Sequence, residues 1–348
     1  VGFFLSIFQY FFNFTKNTKM KVVGVNGFGR IGRYFTRMIL EDNLVNIALV
    51  NDPADTKTLM HLLKYDSVHK TFPLAFEIKG DIVEFENGKR IYFSHEKEPK
   101  LIPWGKYNVE IVIESSGFFL TQELAEDHLK AGAKKVIISA PAADENVPIV
   151  TLGVTNLEII RQHAIISNAS CTTNNLAPML KVLNELMPIE SCHFSTIHSY
   201  TSDQRLHDSP HRDLRRARAA ATSIVPTTTG ATRAISRVFP ELEGKVTGGS
   251  IRVPVINGSL TELTLYSPIP KTTAEINQAF KFASETNLKG ILGYTEDPIV
   301  SIDIIDSPLS CLFDSGLTSV LGNLVKVVGW YDNEAGYSNR LKDLVKLL

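Results

Sequence analysis

The chain has 348 residues, enough for two compact domains, and its 44% hydrophobic and 21% charged composition is that of an ordinary globular protein. Thirty-six basic against 37 acidic residues give a formal charge of −1, which removes any global electrostatic case for nucleic acid or a membrane surface. Three cysteines, Cys171, Cys192 and Cys311, are too few and too dispersed for a disulfide framework or a structural zinc site; no metal is expected, and a reducing cytoplasm fits best.

Residues 1–19 do not match the rest. Val1 to Phe14 is rich in phenylalanine, yet too short and too interrupted by Ser6, Gln9 and Asn13 to span a bilayer. It also lacks the basic start and small-residue cleavage site of a secretory signal. Met20 stands just before the first clear strand, so 1–19 reads as an over-extended gene start, not part of the fold. A membrane-interface anchor and a targeting or disordered tail are the alternatives.

From there strands and helices alternate. Lys21–Val25 reads as a buried strand, followed by Asn26-Gly-Phe-Gly-Arg-Ile-Gly32 and a helix to about Leu40. Ile47–Val50 is a second strand, ending in Asn51-Asp52. A helix near Thr56–Leu63, a strand over Val109–Ser115, a helix over Thr121–Ala131 and a strand over Val136–Ser139 continue the pattern. Such alternation predicts a doubly wound parallel sheet. Ile82–Phe85, Asn87-Gly88 and Arg90–Phe93 predict a hairpin beside it.

Gly27-x-Gly29-x-x-Gly32 would be a weak signal alone. Here it follows a strand, opens a helix and is followed 25 residues after Gly27 by Asp52, at the end of the next strand. Gly27 and Gly29 permit a tight turn and close backbone approach, and the helix N-terminus suits a pyrophosphate. A carboxylate at Asp52 would accept from both ribose hydroxyls and repel a 2′-phosphate, so NAD is expected over NADP. The plain alternative is a glycine-rich turn with a solvated aspartate.

The most telling stretch is Ser167-Asn-Ala-Ser-Cys-Thr-Thr-Asn174, with His198 placed 27 residues after its cysteine. Leu176, Leu180, Leu183 and Met187 recur at helical spacing, so Cys171 sits at the start of a helix running from about Thr172 towards Met187. Unsatisfied N–H groups there favour thiolate over thiol, which matters because an unperturbed cysteine near ~8.5 is only about 3% ionised at pH 7. A nearby imidazole would complete an activated nucleophile. A buried core cysteine is the competing reading, and the polar run around Cys171 speaks against it.

Beyond Cys171, His193–Ser199, Ser250–Val255, Leu260–Tyr266 and Leu324–Tyr331 are strand-like, which predicts a mostly antiparallel sheet. A polar stretch between Tyr200 and Val225 is long for a loop inside a domain, which suggests function or subunit contact.

At this point the chain resembles phosphorylating glyceraldehyde-3-phosphate dehydrogenases. The matching segments are Val25–Arg33, Lys64-Tyr-Asp-Ser67, Ser167–Asn174, His198-Ser-Tyr-Thr201, Pro226–Ala231, Arg252-Val-Pro254 and Trp330-Tyr-Asp-Asn-Glu-Ala-Gly-Tyr337. They run in order from about Met20 to the C-terminus, and Asp213–Arg218 is similar to the bacterial and chloroplast branch.

The resemblance implies an α/β fold: a Rossmann-type doubly wound parallel sheet plus an α+β catalytic domain with a mostly antiparallel sheet. The NAD-binding domain would be 20–170, completed by a C-terminal helix 334–348, and the catalytic domain 171–333. Cys171 would attack the aldehyde of glyceraldehyde 3-phosphate, with His198 as acid–base, giving a hemithioacetal and then a thioester. Inorganic phosphate would release it as an acyl phosphate, in glycolysis and gluconeogenesis. Thr201 and Arg252, supported by Asp203, would hold the substrate phosphate. Ser170, Thr172, Arg216, Thr229 and Gly230 would hold the attacking phosphate, although Arg216 also suits a solvated basic run. Gly27, Gly29, Arg30, Ile31, Gly32, Asp52, Lys97, Ser139, Asn333 and Tyr337 would serve NAD, Tyr337 being equally suited to ordinary packing. A homotetramer is implied, the 200–225 loop lying between subunits.

Three departures stand out. Asn175 replaces the usual second cysteine, which rules out an intramolecular disulfide with Cys171. Ser209-Pro210 keeps the proline of NAD-specific members but not the leucine, leaving some NADP use open. Arg252-Val-Pro-Val-Ile-Asn257 continues unusually, with no arguable effect. An erythrose-4-phosphate dehydrogenase and a non-catalytic NAD-binding interaction protein are the rival readings.

Overall fold

The computed structural model describes residues 20–348; the reading of 1–19 as an extension lies outside the described residues. The chain divides into two compact units, one of residues 20–150, 156–168 and 340–348, the other of Thr151–Thr155 and Ala169–Asn339. Among the described residues no helix is long and apolar enough to cross a membrane.

The first unit is built on an eight-stranded sheet. Its order is Ile165–Ser167, Lys135–Ile138, Ile111–Glu114, Lys21–Asn26, Val45–Asn51, Arg90–Ser94, Ile82–Phe85, Phe76–Lys79. The first six strands pair in parallel; the last two add an antiparallel meander that includes the expected hairpin. Parallel strands covered on both faces read as continuous apolar runs, and Val23, Val25, Leu49, Val50, Val112, Ile113, Ile137 and Ile138 are all fully buried. Helices Arg30–Leu40, Thr56–Lys64 and Gln122–Lys130 form the crossovers. Asp55 and Thr121 cap the second and third by accepting from the N–H groups of Thr58 and Leu124. This is the doubly wound arrangement expected, with ends differing by a residue or two.

The second unit carries the mostly antiparallel sheet. Its order is Val225–Thr227, Val246–Val253, Ser191–Ser199, Ser259–Tyr266, Leu324–Tyr331, Cys311–Asp314, Leu292–Thr295, with Ser319–Leu321 on Leu324–Tyr331. Only two neighbouring pairs in it are parallel, Ser191–Ser199 with Val246–Val253 and Leu292–Thr295 with Cys311–Asp314. Helix Cys171–Leu186 packs Leu176, Leu180 and Leu183 into a core with Phe194, Leu263, Leu265, Val325 and Val327. Helix Thr273–Glu285 adds Ile276 and Phe280 to that core and begins with a Thr272–Glu275 capping box. The helix that presents Cys171 is therefore clamped by core burial along its length, which fixes its first turn.

Candidate active site

Register makes the site. In the parallel pair, His198 lies directly beside Arg252, and parallel partners at one level share a face of the sheet. Along Ser191–Ser199, Cys192, Phe194, Thr196 and His198 alternate onto the buried face, so the core residues of the strand aim the histidine. Cys171 opens its helix after Ser170, whose hydroxyl accepts from the Thr173 N–H at 3.0 Å and fixes the entry turn.

These elements bring the sulfur of Cys171 to 3.4 Å from Nε2 of His198. Burial and the helix start act on the sulfur in opposite directions. Burial, the largest influence, pushes the Cys171 thiol up, while the Arg252 charge and the Thr172 N–H and hydroxyl pull it back. His198 moves the other way: burial, then the Arg252 charge, lower it to about 3 against the help of the Ser199 carbonyl. Burial thus disfavours the charged form of each partner taken alone. Desolvation outweighs the helix terminus because it acts on both partners at once.

On its far side, Nδ1 of His198 lies 2.7 Å from the Ser199 carbonyl oxygen and 2.9 Å from Nη1 of Arg252, which itself donates to that carbonyl at 3.0 Å. Thr201 Oγ1 is 3.5 Å from the same Nη1, so the two residues assigned to the substrate phosphate come together. Arg252 Nε is buried with no hydrogen-bond partner among the described residues.

Residues assigned to the second anion are placed less uniformly. Ser170 and Thr172 flank the cysteine, but their hydroxyls are engaged with Thr173 and Tyr331. Thr229 and Gly230 lie at the N-terminus of helix Ala231–Val238, where Thr229 accepts from the Ala231 N–H. Arg216 is held by three partners: Asp203 through Nη1, Thr227 through Nε at 2.8 Å, and the Thr228 carbonyl through Nη2 at 3.2 Å.

Tyr331 has a role that its motif alone does not reveal. Its hydroxyl bridges Thr172 at 3.0 Å and Thr196 at 2.8 Å, and its ring meets His198 edge-on at 5.9 Å between centroids. It ties the cysteine helix to the histidine strand. Asn333 Oδ1 accepts from the Ser199 and Ser259 hydroxyls at 2.9 and 3.1 Å, which leaves its amide nitrogen as a donor. Tyr337 is buried and donates to the Ala169 carbonyl, as ordinary packing requires.

In the first unit the glycine turn has the shape a dinucleotide requires. Gly27 adopts φ +89°, and a Cβ there would lie 2.5 Å from Ser116 backbone, so only glycine fits. A Cβ on Gly32 would lie 2.2 Å from the Gly27 carbonyl, which sets the close helix–turn packing. Gly29 differs: a Cβ there would meet nothing within 4 Å, and the helix it caps has no side-chain cap and no acid in its first turn. That leaves a helix N-terminus open to an anion. Asp52 accepts from the Phe28 N–H at 2.8 Å and the Ala54 N–H at 3.0 Å, fixing its carboxylate beside the turn. Ser139 Oγ is buried with no partner among the described residues, a polar atom suited to a ligand. These features fit NAD. Ile31 is half-buried and Lys97 exposed, while Arg30 forms a two-pronged ion pair with Asp66.

Behind the turn lies a buried network that sequence reading missed. Glu114 receives hydrogen bonds from Asn26 at 2.6 Å, the Ser116 N–H at 2.8 Å and His128 Nε2 at 2.9 Å. Trp104 donates to His128 Nδ1 at 3.0 Å, which places the ring proton on Nε2. The network pins the two strand ends that carry Gly27 and Ser116.

Comparison with known proteins agrees with this geometry. Residues 21–122 match the family described as glyceraldehyde 3-phosphate dehydrogenase, NAD binding domain, and residues 170–333 match its C-terminal domain. The chain is 53% identical over 325 residues to glyceraldehyde-3-phosphate dehydrogenase 2 of Streptomyces avermitilis, covering 92% of this chain and 96% of that protein. It is 50% identical over 327 residues to glyceraldehyde-3-phosphate dehydrogenase 1 of Bacillus cereus, covering 93% and 97%. Against glyceraldehyde-3-phosphate dehydrogenase of Mycobacterium tuberculosis it is 51% identical over 332 residues, covering 94% and 98%.

Proposed function

The chain belongs to the glyceraldehyde 3-phosphate dehydrogenase family, and from that premise we propose that Cys171 and His198 carry its chemistry. Its activity is that of an NAD-dependent glyceraldehyde-3-phosphate dehydrogenase. The observation that carries the assignment is the 3.4 Å approach of Cys171 Sγ to His198 Nε2 at a fixed helix start.

Cys171 sulfur bonds to the aldehyde carbon, and the thiol proton passes to His198 Nε2. His198 returns that proton to the carbonyl oxygen, giving the hemithioacetal hydroxyl, then removes it again as the C–H electron pair departs. NAD, when bound, supplies the hydride acceptor. The product on the protein is a Cys171 thioester. Inorganic phosphate attacks the thioester carbonyl, the C–S bond breaks, and 1,3-bisphosphoglycerate leaves. Thr201 and Arg252 hold the substrate phosphate; Ser170, Thr172, Thr229, Gly230 and Arg216 hold the attacking one. Gly27, Gly29, Arg30, Ile31, Gly32, Asp52, Lys97, Ser139 and Asn333 are the residues that serve NAD, and Tyr337 packs against the Ala169 carbonyl.

The enzyme works as a homotetramer in the cytoplasm. Leu206, Leu214 and Ile224, at 75%, 81% and 70% exposure on the 200–225 loop, support subunit contact there, and the dispersed cysteines support a reducing compartment. The test is turnover of glyceraldehyde 3-phosphate and erythrose 4-phosphate with NAD, with and without inorganic phosphate. The account requires phosphate-dependent turnover and preference for the triose; phosphate-independent turnover favouring the tetrose would assign the sister activity instead.

A further inference from the structure

His95 follows strand Arg90–Ser94 and lies between two acceptors from different parts of the first unit. Its Nδ1 is 2.8 Å from the Asp52 carbonyl oxygen, and its Nε2 is 3.1 Å from Oδ1 of Asp81. A carbonyl or an ionised carboxylate can only accept, so both nitrogens must carry a proton for both bonds to exist. Only the imidazolium meets that condition. A neutral ring turns a bare nitrogen towards an oxygen lone pair and loses one bond. Burial lowers the proton affinity of His95, but the Asp52 carbonyl and Asp81 together outweigh it and raise the ring above its ordinary value.

Both acceptors belong to elements that shape the dinucleotide site. Asp52 has its carboxylate held by the Phe28 and Ala54 N–H groups, and its own N–H donates to the Ser94 carbonyl at 3.0 Å. The Asp52 carbonyl is the remaining handle on that residue, and His95 grips it. Asp81 also accepts from the buried Thr56 Oγ1 at 2.8 Å, in the first turn of helix Thr56–Lys64. The charged ring thus joins the end of strand Val45–Asn51, the turn before Ile82–Phe85 and the start of that helix.

We infer that His95 is a positioning residue for the adenosine end of the cofactor: the doubly protonated ring braces Asp52, the neutral ring releases it, and dinucleotide affinity falls as His95 loses its proton. Linkage makes the effect reciprocal, so a bound dinucleotide raises the proton affinity of His95 by the same factor. His95 acts through Asp52, and the inference rests on the place proposed for Asp52 in the NAD site. Several charged groups surround the ring. Asp81 is within ion-pair distance of it, and Asp52 directs its carboxylate to backbone N–H groups. On the helix side, the Thr56 hydroxyl is 3.3 Å from Nε2, and the capping Asp55 accepts from the Thr58 N–H. Lys79, before the turn, is paired with Glu77 and Glu84, while Glu96 and Lys97, after the ring, are exposed.

The test uses the full-length enzyme and ADP-ribose, which carries the adenosine and pyrophosphate but no nicotinamide to reach Cys171. Calorimetry at pH 5.5 and pH 9 compares wild type with His95→Ala and with His95→Asn, whose amide can donate to the Asp52 carbonyl at any pH. Wild type should bind about threefold more weakly at pH 9, in keeping with a partly exposed charged contact. His95→Ala should bind weakly at both values and His95→Asn tightly at both. A flat wild-type profile, or one that His95→Ala reproduces, overturns the brace; the Asp52 assignment still stands if Asp52→Ala weakens binding. Binding indifferent to Asp52→Ala overturns both. Should His95→Ala fail to fold, the wild-type ring decides. Its 15N titration, assigned by the signals lost in His95→Asn, must move up by about threefold in proton affinity with saturating ADP-ribose, and an unmoved ring contradicts the inference.

Discussion

Cys171 Sγ lies 3.4 Å from His198 Nε2, and the two residues reach that distance from different elements, a helix start and a strand end. The Tyr331 hydroxyl, bonded to Thr172 and Thr196, spans the same two elements one residue from the cysteine and two from the histidine. Tyr331→Phe removes that bridge without emptying the core. It should lower kcat about tenfold, by letting the pair drift, and cost about 1 kcal/mol of stability. Steady-state kinetics beside urea unfolding measure both.

His198→Asn should lower kcat by about 10²–10⁴, the usual worth of a positioned acid–base group. Burial and the Arg252 charge hold His198 at about 3, whereas the unfolded chain titrates near ~6.5. Between those values the unfolded state binds more protons, so stability falls as pH drops through the window. Wild type should therefore lose more of its urea midpoint between pH 7 and pH 4 than His198→Asn does.

Gly29→Ala separates folding from binding. A methyl at Gly29 meets nothing within 4 Å of protein, so the variant should melt within about 0.5 kcal/mol of wild type. If the pyrophosphate occupies that space, NAD affinity should fall at least tenfold by calorimetry. Gly27→Ala meets Ser116 backbone at positive φ and should fold poorly.

NAD should be preferred over NADP at least tenfold, about 1.4 kcal/mol, because the Asp52 carboxylate repels a 2′-phosphate. Asp52→Ala should erase most of that ratio. It should also weaken NAD itself, since Asp52 holds the Phe28 N–H of the glycine turn. Parallel kcat/KM values with both cofactors check this.

Removing His128 takes one hydrogen-bond donor from buried Glu114, which keeps Asn26 and Ser116, and leaves Trp104 Nε1 without its acceptor. His128→Leu should cost about 3 kcal/mol, read by urea unfolding, and loosen NAD binding through Asn26 and Ser116.

Local signals made much of this molecule legible. The parallel sheet followed from apolar strands spaced by helices, and the glycine turn with Asp52 announced its ligand because both features lie within one βαβ unit. Cys171 and His198 stood out through their motifs. What escaped reading depends on neighbours far apart in sequence. Tyr331 touches Thr172 across 159 positions, and Arg252 meets His198 only because two strands pair in parallel register. The raised Cys171 thiol has the same origin: a helix start is visible in sequence, but the protein packed over it is not. The partners of Arg216, namely Asp203, Thr227 and the Thr228 carbonyl, are likewise set by a folded loop.

The central claim is that Cys171 is the atom acylated by substrate. The direct measurement mixes enzyme, NAD and glyceraldehyde 3-phosphate without inorganic phosphate, follows the burst of NADH, and maps the adduct by mass spectrometry of acid-quenched peptides. One NADH per chain with the acyl group on Cys171, released on adding phosphate, is the expected result. A burst with the acyl group on Cys192 or Cys311, or turnover that leaves Cys171 unmodified, would contradict it.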